Sequence, residues 1–167
     1  MMHDHKKYIL DQAAIAAKIE RLAYEVAEQN AGVSLLVLAG VADNGVVIAR
    51  KLAEKLKGIL PAEIKIISIG MNKKMPDEVH LSPEINLNGK TIIITDDVSM
   101  TGRTMMYALK PLLQFHPEKI QTLVLVERQQ KLFPMHSDYV GLHISTTLED
   151  LIIVETDGVE LNGAYLA

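Results

Sequence analysis

Two adjacent carboxylates, Asp96 and Asp97, lie between a run of apolar and β-branched residues and a Thr-Gly-Arg-Thr segment. The run 91–95 predicts a buried strand, and the apolar residues 105–113 predict a helix after a short turn. In an open parallel sheet, ligands bind beyond the carboxyl ends of the strands, where the start of a helix presents unpaired N–H groups that suit a phosphate. Gly102 allows close approach of the backbone, and carboxylates beside an anion site suit a ligand that also carries hydroxyl groups. Ribose 5-phosphate fits this combination.

This segment resembles the phosphoribosyl-pyrophosphate (PRPP) signature of the type I phosphoribosyltransferases, which has a hydrophobic strand, two acidic residues, Thr-Gly and a closing Thr or Ser. The resemblance implies that Asp96 and Asp97 are the catalytic carboxylates and hold the 2′- and 3′-hydroxyls of the ribose. It also implies Mg²⁺ as cofactor, bound through PRPP and water, with a contribution from the same two carboxylates left open. An ordinary strand-turn-helix with a solvated Asp pair is the alternative. The residues implied to bind PRPP are Val98, Ser99, Met100, Thr101, Gly102, Arg103 and Thr104.

Length and composition indicate one domain of enzyme size, residues 1–167. Apolar residues make up 49% of the chain, yet no apolar run approaches the roughly 20 residues that span a bilayer. The start of the sequence lacks the long apolar stretch of a secretory signal, so a cytoplasmic location without a membrane partner is expected. Cysteine is absent, which excludes disulfides and thiolate metal sites. The net charge of -4 disfavours nucleic-acid binding, which usually needs a basic face.

Helical and strand patterns alternate along most of the chain. The βαβαβ alternation predicts an α/β fold with a doubly wound, mainly parallel sheet flanked by helices. Residues 70–89 are polar with little periodicity, which is typical of a functional or disordered loop. Two short predicted strands, 139–144 and 151–155, break the alternation and are expected to cover the carboxyl edge of the sheet. The other predicted elements are helices over 11–29 and 45–56 and strands over 33–39, 63–69 and 121–126.

In the type I phosphoribosyltransferases a small variable subdomain, the hood, covers that edge, which implies a core of about 9–127 and a hood of about 128–167 here. The sequence looks like the hood of one subfamily, the bifunctional pyrimidine-operon attenuation regulators with uracil phosphoribosyltransferase activity. The matching segments are Leu-Val-Glu-Arg at 125–128, Phe-Pro at 133–134, Asp-Tyr-Val-Gly at 138–141 and Ile-Ser-Thr-Thr at 144–147.

The subfamily resemblance implies a base-binding role for Arg128, Asp138, Tyr139 and Val140. Uracil is the favoured base, and purines such as hypoxanthine stay open. The alternative is that Tyr139 and Val140 are ordinary strand residues of a β hairpin and that Arg128 pairs with an acidic side chain. Because members of the family usually form dimers or tetramers, a homodimer or tetramer is expected.

A loop after the first predicted core strand occupies the position of the pyrophosphate loop of this family. It consists of Gly40, Val41, Ala42, Asp43, Asn44 and Gly45, and Lys73 and Lys74 follow the next strand. The related regulators carry Lys, Thr and Arg between the glycines, whereas this chain has Ala42, Asp43 and Asn44, so an anion replaces a cation beside the expected pyrophosphate. The change could weaken PRPP binding, require a metal bridge through Asp43, or mark the loss of catalysis. Alternatively, Asp43 or Asn44 caps the following helix, and the two lysines are merely solvated.

The function implied is transfer of ribose 5-phosphate from PRPP to a nucleobase nitrogen with release of pyrophosphate. PRPP and a nucleobase or nucleoside monophosphate are the implied partners. Two rival functions are a non-catalytic nucleotide sensor, suggested by the altered loop, and an RNA-binding regulator, suggested by the subfamily. The acidic balance disfavours RNA, although Lys6, Lys7, Lys18 and Arg21 could form a local basic patch.

Overall fold

A six-stranded sheet with helices on both faces forms the centre of the fold. The structure is a computed structural model that describes residues 6–72, 74–76 and 78–167. In chain order the elements are β1 (Lys7–Asp11), α1 (Gln12–Gln29), β2 (Leu35–Val41), α2 (Ala42–Leu56), β3 (Glu63–Met71), β4 (Val79–Ser82), β5 (Thr91–Ser99), α3 (Arg103–Ala108), β6 (Lys119–Arg128), β7 (Tyr139–Ile144), β8 (Ile152–Thr156) and β9 (Leu161–Leu166).

Strands β3, β2, β5, β6 and β7 run parallel in that order, and β4 pairs antiparallel with β3 at one edge. The chain passes from β2 to β3 on one side and later enters β5 on the other side, so the winding reverses between β2 and β5. Both strands are buried almost throughout, as strands of a parallel sheet covered on both faces must be. The predicted doubly wound, mainly parallel α/β fold is confirmed. The reversal point is where ligands bind in such folds.

Helices α1 and α2 pack on one face of the sheet through apolar stripes that include Ile15 and Leu52, and α3 packs on the other face through Met105. Helix α3 is shorter than the predicted 105–113. Pro111 has no N–H to donate, and its ring would clash with the carbonyl four residues earlier in a continuing helix. The chain after α3 therefore continues in tight turns rather than in an α-helix.

A second sheet has three strands in the order β1-β9-β8, and its strand β8 packs against β5. The structure differs from the predicted hood in two respects. The predicted strand 139–144 is β7, which pairs with β6 in the main sheet and so covers the backbone edge that β6 would otherwise expose. The hood sheet is completed instead by β9 and by β1 from the start of the chain, neither of which was predicted.

Predicted and observed element bounds differ by a few residues elsewhere. Strand β2 extends through Gly40 and Val41, which pair with Ser68 and Ile69 of β3, although their glycine content was interpreted as a loop. The predicted irregular stretch 70–89 contains the edge strand β4. No helix within the described ranges has the length and apolar character that a membrane span requires.

Candidate functional site

The carboxyl ends of β2 and β5 meet at the reversal point, and two glycines allow the close approach. A Cβ on Gly45 would lie 2.4 Å from the carbonyl oxygen of Thr95, and one on Gly40 would lie 2.5 Å from the Cα of Val46. Side chains are therefore excluded at both positions, and the first turn of α2 lies directly against β5. The hydroxyl of Thr95 donates a hydrogen bond of 2.8 Å to the carbonyl of Gly45 and fixes this junction.

Both predicted catalytic carboxylates are buried beside the junction, with Asp96 1% and Asp97 7% exposed. The N–H of Asp97 donates to Oδ1 of Asp96 at 2.9 Å, and the N–H of Val98 donates to Oδ1 of Asp97 at 2.8 Å. Oδ2 of Asp97 accepts a hydrogen bond of 2.7 Å from Nδ2 of Asn44, although the two residues are 53 positions apart. The protein thus fixes the orientation of both carboxylates.

A cleft of about 590 Å³ opens in front of these carboxylates. All the residues predicted to bind PRPP line it, in an unbroken run from Asp96 to Met105. Asn44 and Lys74 line the same cleft, so residues from three separate predicted segments come together there. Lys73 lies outside the described residues. The remaining walls are formed by Leu132, Phe133, Ile152, Ile153 and Val154.

The turn between β5 and α3 has the backbone geometry that its sequence predicts. Gly102 has a φ of 85°, in the left-handed region that favours glycine, and it is the N-cap of α3. The carbonyl of Thr101 accepts hydrogen bonds from the N–H groups of Leu132 (3.1 Å) and Phe133 (3.0 Å), which ties the turn to the opposite wall. The first amides of α3 have no acceptor within the helix and are placed at the cleft.

The predicted pyrophosphate loop separates this cleft from a second cavity of about 630 Å³. Helix α2 begins at Ala42 after an N-cap, Val41, that makes no side-chain capping bond, so the capping interpretation of Asp43 and Asn44 is wrong. Ala42 has a φ of 47°, a strained conformation for a residue with a Cβ. The second cavity is lined by Ala42, Asp43, Asn44, Val46, Val47, Arg50, Ser68, Gly70, Thr156 and Gly158.

Arg128, one of the predicted base-binding residues, lies at the carboxyl end of β6 and is 3% exposed. Its Nε donates to the hydroxyl of Thr146 at 3.0 Å, and its guanidinium also donates to the carbonyl of Asp150. Arg128 therefore holds the turn that precedes β8, one of the cleft walls, but is not itself among the lining residues of the cleft.

The other three predicted base-binding residues lie at or next to the start of β7 and do not line the cleft. The carboxylate of Asp138 accepts hydrogen bonds from the N–H and the hydroxyl of Thr122. The hydroxyl of Tyr139 lies 2.7 Å from Oε1 of Gln121, and burial raises the pKa of this phenol. Val140 packs against the apolar cluster on the α3 face. Their base-binding role stays a prediction.

The residues of one wall of the cleft were not among the site residues predicted from the sequence. Ile152, Ile153 and Val154 are consecutive residues of β8, and all three line the cleft. Successive side chains of a strand point to opposite faces, so lining by three consecutive residues indicates that the edge of the strand faces the cleft, with its backbone N–H and C=O groups. Strand β8 is an edge strand of the hood sheet, paired only with β9 among the described strands. The sequence signals a strand here, but not which of its edges lacks a partner.

A buried ion pair lies beside the carboxyl end of β5. The ammonium of Lys131 lies 3.2 Å from Oε1 of Glu127, with the side chains 6% and 3% exposed. The same ammonium donates to the hydroxyl (2.8 Å) and the carbonyl (3.2 Å) of Ser99. Burial lowers the pKa of Lys131, and the carboxylate of Glu127 opposes that shift.

The oxygen atoms at the cleft are of the kind that binds a hard cation. Within the described ranges, no group of three or more His, Cys, Asp and Glu side chains could hold a metal ion by itself. Mg²⁺ prefers oxygen ligands and usually keeps several waters, binding through one or two carboxylates together with substrate phosphates. Asp96 and Asp97 offer carboxylate oxygens of this kind at the cleft.

Comparisons with known proteins agree with this geometry. Residues 5–162 match the model of the phosphoribosyl transferase domain. The chain is 33% identical to the Bifunctional protein PyrR of Clostridioides difficile, with 92% of this chain and 94% of the relative covered. It is 35% identical to the protein of the same name from Clostridium perfringens, with 93% and 97% covered. The fold is similar to that of the hypoxanthine phosphoribosyltransferase of Trypanosoma cruzi, with a TM-score of 0.79, 19% identity, and 96% of this chain and 95% of that chain covered.

Proposed function

This chain belongs to the phosphoribosyl transferase domain family, and on that premise we propose that it transfers ribose 5-phosphate from PRPP to a nucleobase nitrogen, releasing pyrophosphate. The observation that carries the proposal is the unbroken lining of one cleft by Asp96 to Met105, together with consecutive residues of β8. One wall offers carboxylates and helix-start amides for a sugar phosphate, and the other offers the backbone edge of β8 for a planar base.

In the proposed reaction, a ring nitrogen of the base forms a bond to the anomeric carbon while the bond to pyrophosphate breaks. The leaving group takes the electron pair, and the nitrogen releases its proton to water. Asp96 and Asp97 would accept hydrogen bonds from the ribose hydroxyls and favour the positive charge that develops on the sugar. The amides and hydroxyls of the turn from Thr101 to Thr104 would hold the 5′-phosphate. When bound, Mg²⁺ would neutralise charge on the pyrophosphate. Positioning and electrostatics would supply most of the acceleration.

We propose that the edge of β8 reads the base. A strand edge offers alternating N–H donors and C=O acceptors, and uracil carries a matching alternation of carbonyl and N–H groups. Uracil is favoured because of the resemblance between the hood segments and those of the pyrimidine regulators. A purine such as hypoxanthine also carries such groups, so the base is decided by experiment.

Pyrophosphate release from PRPP and Mg²⁺ tests the proposal, with uracil, hypoxanthine, guanine, xanthine and adenine in parallel reactions. Release that depends on one base supports the transferase and identifies its acceptor. Silence with every base, together with calorimetric binding of a nucleoside monophosphate, contradicts catalysis and supports a nucleotide sensor.

The sensor is the second candidate because Asn44 replaces a cation of the related regulators at the pyrophosphate loop. An RNA-binding regulator is disfavoured, since two residues of the suggested basic patch are in ion pairs, Lys6 with Glu155 and Arg21 with Glu25. A gel shift with pyrimidine leader RNA that weakens with salt would support that regulator. We also propose a homodimer or tetramer, which light scattering of the purified protein would test.

A further inference from the structure

We propose that Asn44 is a positioning residue of the PRPP site, which holds the Asp97 carboxylate in the orientation that accepts a ribose hydroxyl. This inference rests on the proposed function and deepens it. The related regulators carry a cation at this point of the loop, but the contact seen here is made by a neutral amide and is directed at the ribose side of the cleft.

The geometry fixes the Asp97 carboxylate from two directions. Its Oδ1 accepts from the N–H of Val98 at 2.8 Å, and its Oδ2 accepts from the Asn44 amide at 2.7 Å. A carboxylate with a donor on each oxygen cannot rotate without breaking one of these bonds. Because the Asn44 amide is neutral, it orients the carboxylate and adds no charge that would compensate it.

The backbone that carries Asn44 is itself held in place. Thr95 donates to the carbonyl of Gly45, the next residue, and Gly45 lies too close to β5 to carry a side chain. Ala42 holds a left-handed φ at the start of the same turn. The amide thus reaches Asp97 from a fixed base. Asn44 also lines both cavities, so a ligand in either one would lie beside the same side chain.

If Asn44 positions Asp97, its loss should weaken the binding of different ligands than if it contacts pyrophosphate directly. Ribose 5-phosphate carries the hydroxyls from which Asp97 would accept hydrogen bonds, but it has no pyrophosphate group. Inorganic phosphate can occupy the turn at Thr101 to Thr104 without touching Asp97. Inorganic pyrophosphate would probe the loop itself.

The experiment measures the affinity of wild type, Asn44→Ala and Glu54→Gln for these three ligands and for PRPP by calorimetry. Glu54 is exposed on the same helix and serves as the matched control, expected to behave as wild type. Loss of a hydrogen bond to a charged group predicts at least about tenfold weaker binding of ribose 5-phosphate and PRPP to Asn44→Ala. Binding of phosphate and pyrophosphate should change less than about twofold.

Two further variants keep the result decisive. In an Asp97→Ala background, Asn44→Ala should cause no additional loss for ribose 5-phosphate, because the carboxylate that it orients is gone. Asn44→Ser, with a shorter hydroxyl donor, serves as the second variant if Asn44→Ala does not fold, and it should weaken the same two ligands.

The outcomes separate the proposal from the function on which it rests. Equal losses for all four ligands indicate a merely structural role and overturn the proposal, as does unchanged binding of ribose 5-phosphate. Loss confined to PRPP and pyrophosphate also overturns it, in favour of a direct contact. Wild-type protein that binds neither PRPP nor ribose 5-phosphate contradicts the proposed function itself, and the positioning role with it.

Discussion

Exchanging the amide and the carboxylate between residues 44 and 97 would separate the structural role of this pair from its chemical role. In the double variant Asn44→Asp/Asp97→Asn, the amide of residue 97 can donate to the carboxylate of residue 44, while its carbonyl still accepts from the N–H of Val98. The hydrogen bond of 2.7 Å is then kept with its polarity reversed. We expect the stability to survive the exchange and the turnover to be lost, because the carboxylate has moved from strand β5 to the first turn of helix α2.

The stability losses expected for the two single variants give the size of the effect. Through its bond with Asn44, Asp97→Asn should lose about 1 kcal/mol, because Asn44 can turn its amide and accept instead, which exchanges a charged bond for a neutral one. Asn44→Asp places two carboxylates across a gap of 2.7 Å, where both ions at an effective dielectric of 20 would repel by roughly 6 kcal/mol before proton uptake or rotation. We therefore expect a loss of about 2–4 kcal/mol for Asn44→Asp, most of it recovered in the double variant.

Thermal unfolding and pyrophosphate release are the two assays. For a chain of 167 residues, each kcal/mol shifts Tm by roughly 2–4 °C, so the recovery should be measurable. Turnover should vanish in Asp97→Asn and in the double variant alike. A double variant no more stable than Asn44→Asp would refute the contact. A double variant or an Asp97→Asn variant with wild-type turnover would refute the assignment of Asp97 to the ribose.

Three further predictions test residues around the cleft. Tyr139→Phe should lower the stability by about 1 kcal/mol and leave turnover unchanged. Burial raises the pKa of this phenol, so the wild type should also lose stability relative to the variant as the pH rises above 10.0. Thermal unfolding measures both effects on stability. Burial lowers the pKa of Lys131, so with rising pH this ammonium loses its proton in the folded protein before it does in the unfolded chain. The wild type should therefore gain stability relative to Lys131→Met as the pH rises toward 10.5. Parallel pH profiles of Tm for the two proteins would contradict this. Gly45→Ala should lower Tm by several degrees because its Cβ would meet the Thr95 carbonyl, whereas Gly58→Ala, with ordinary spacing, should not.

The elements that could be predicted from the sequence are those determined by local residue patterns. Strand β5 is a continuous apolar run, and such runs identify buried parallel strands without knowledge of their neighbours. Helix α3 was overextended because apolar periodicity continues past Pro111, although the missing N–H ends the helix earlier. Strand β7 was assigned to the hood because a short strand carries no mark of the sheet that it joins.

The residues of the candidate site likewise include some that local structure determines and some that strand pairing determines. Asp96 to Thr104 lie within one strand, one turn and one helix start, so their arrangement follows from local structure and was predicted as a unit. The wall at β8 depends on which edge of a strand stays unpaired, and that is decided by β1 and β9. No spacing within residues 152–154 carries this information.

The exchange of a cation for Asn44 looks, in the sequence alone, like a defect of the pyrophosphate loop. In the structure the side chain is directed across the reversal point to Asp97, so it holds that carboxylate with a hydrogen bond. Lys74 and Arg103 line the same cleft and are the cations available to phosphate groups among its described residues. If the chain turns over PRPP, we expect these two residues to contribute to the attraction for its phosphate groups. Its affinity for PRPP should therefore depend on their charge and fall with added salt.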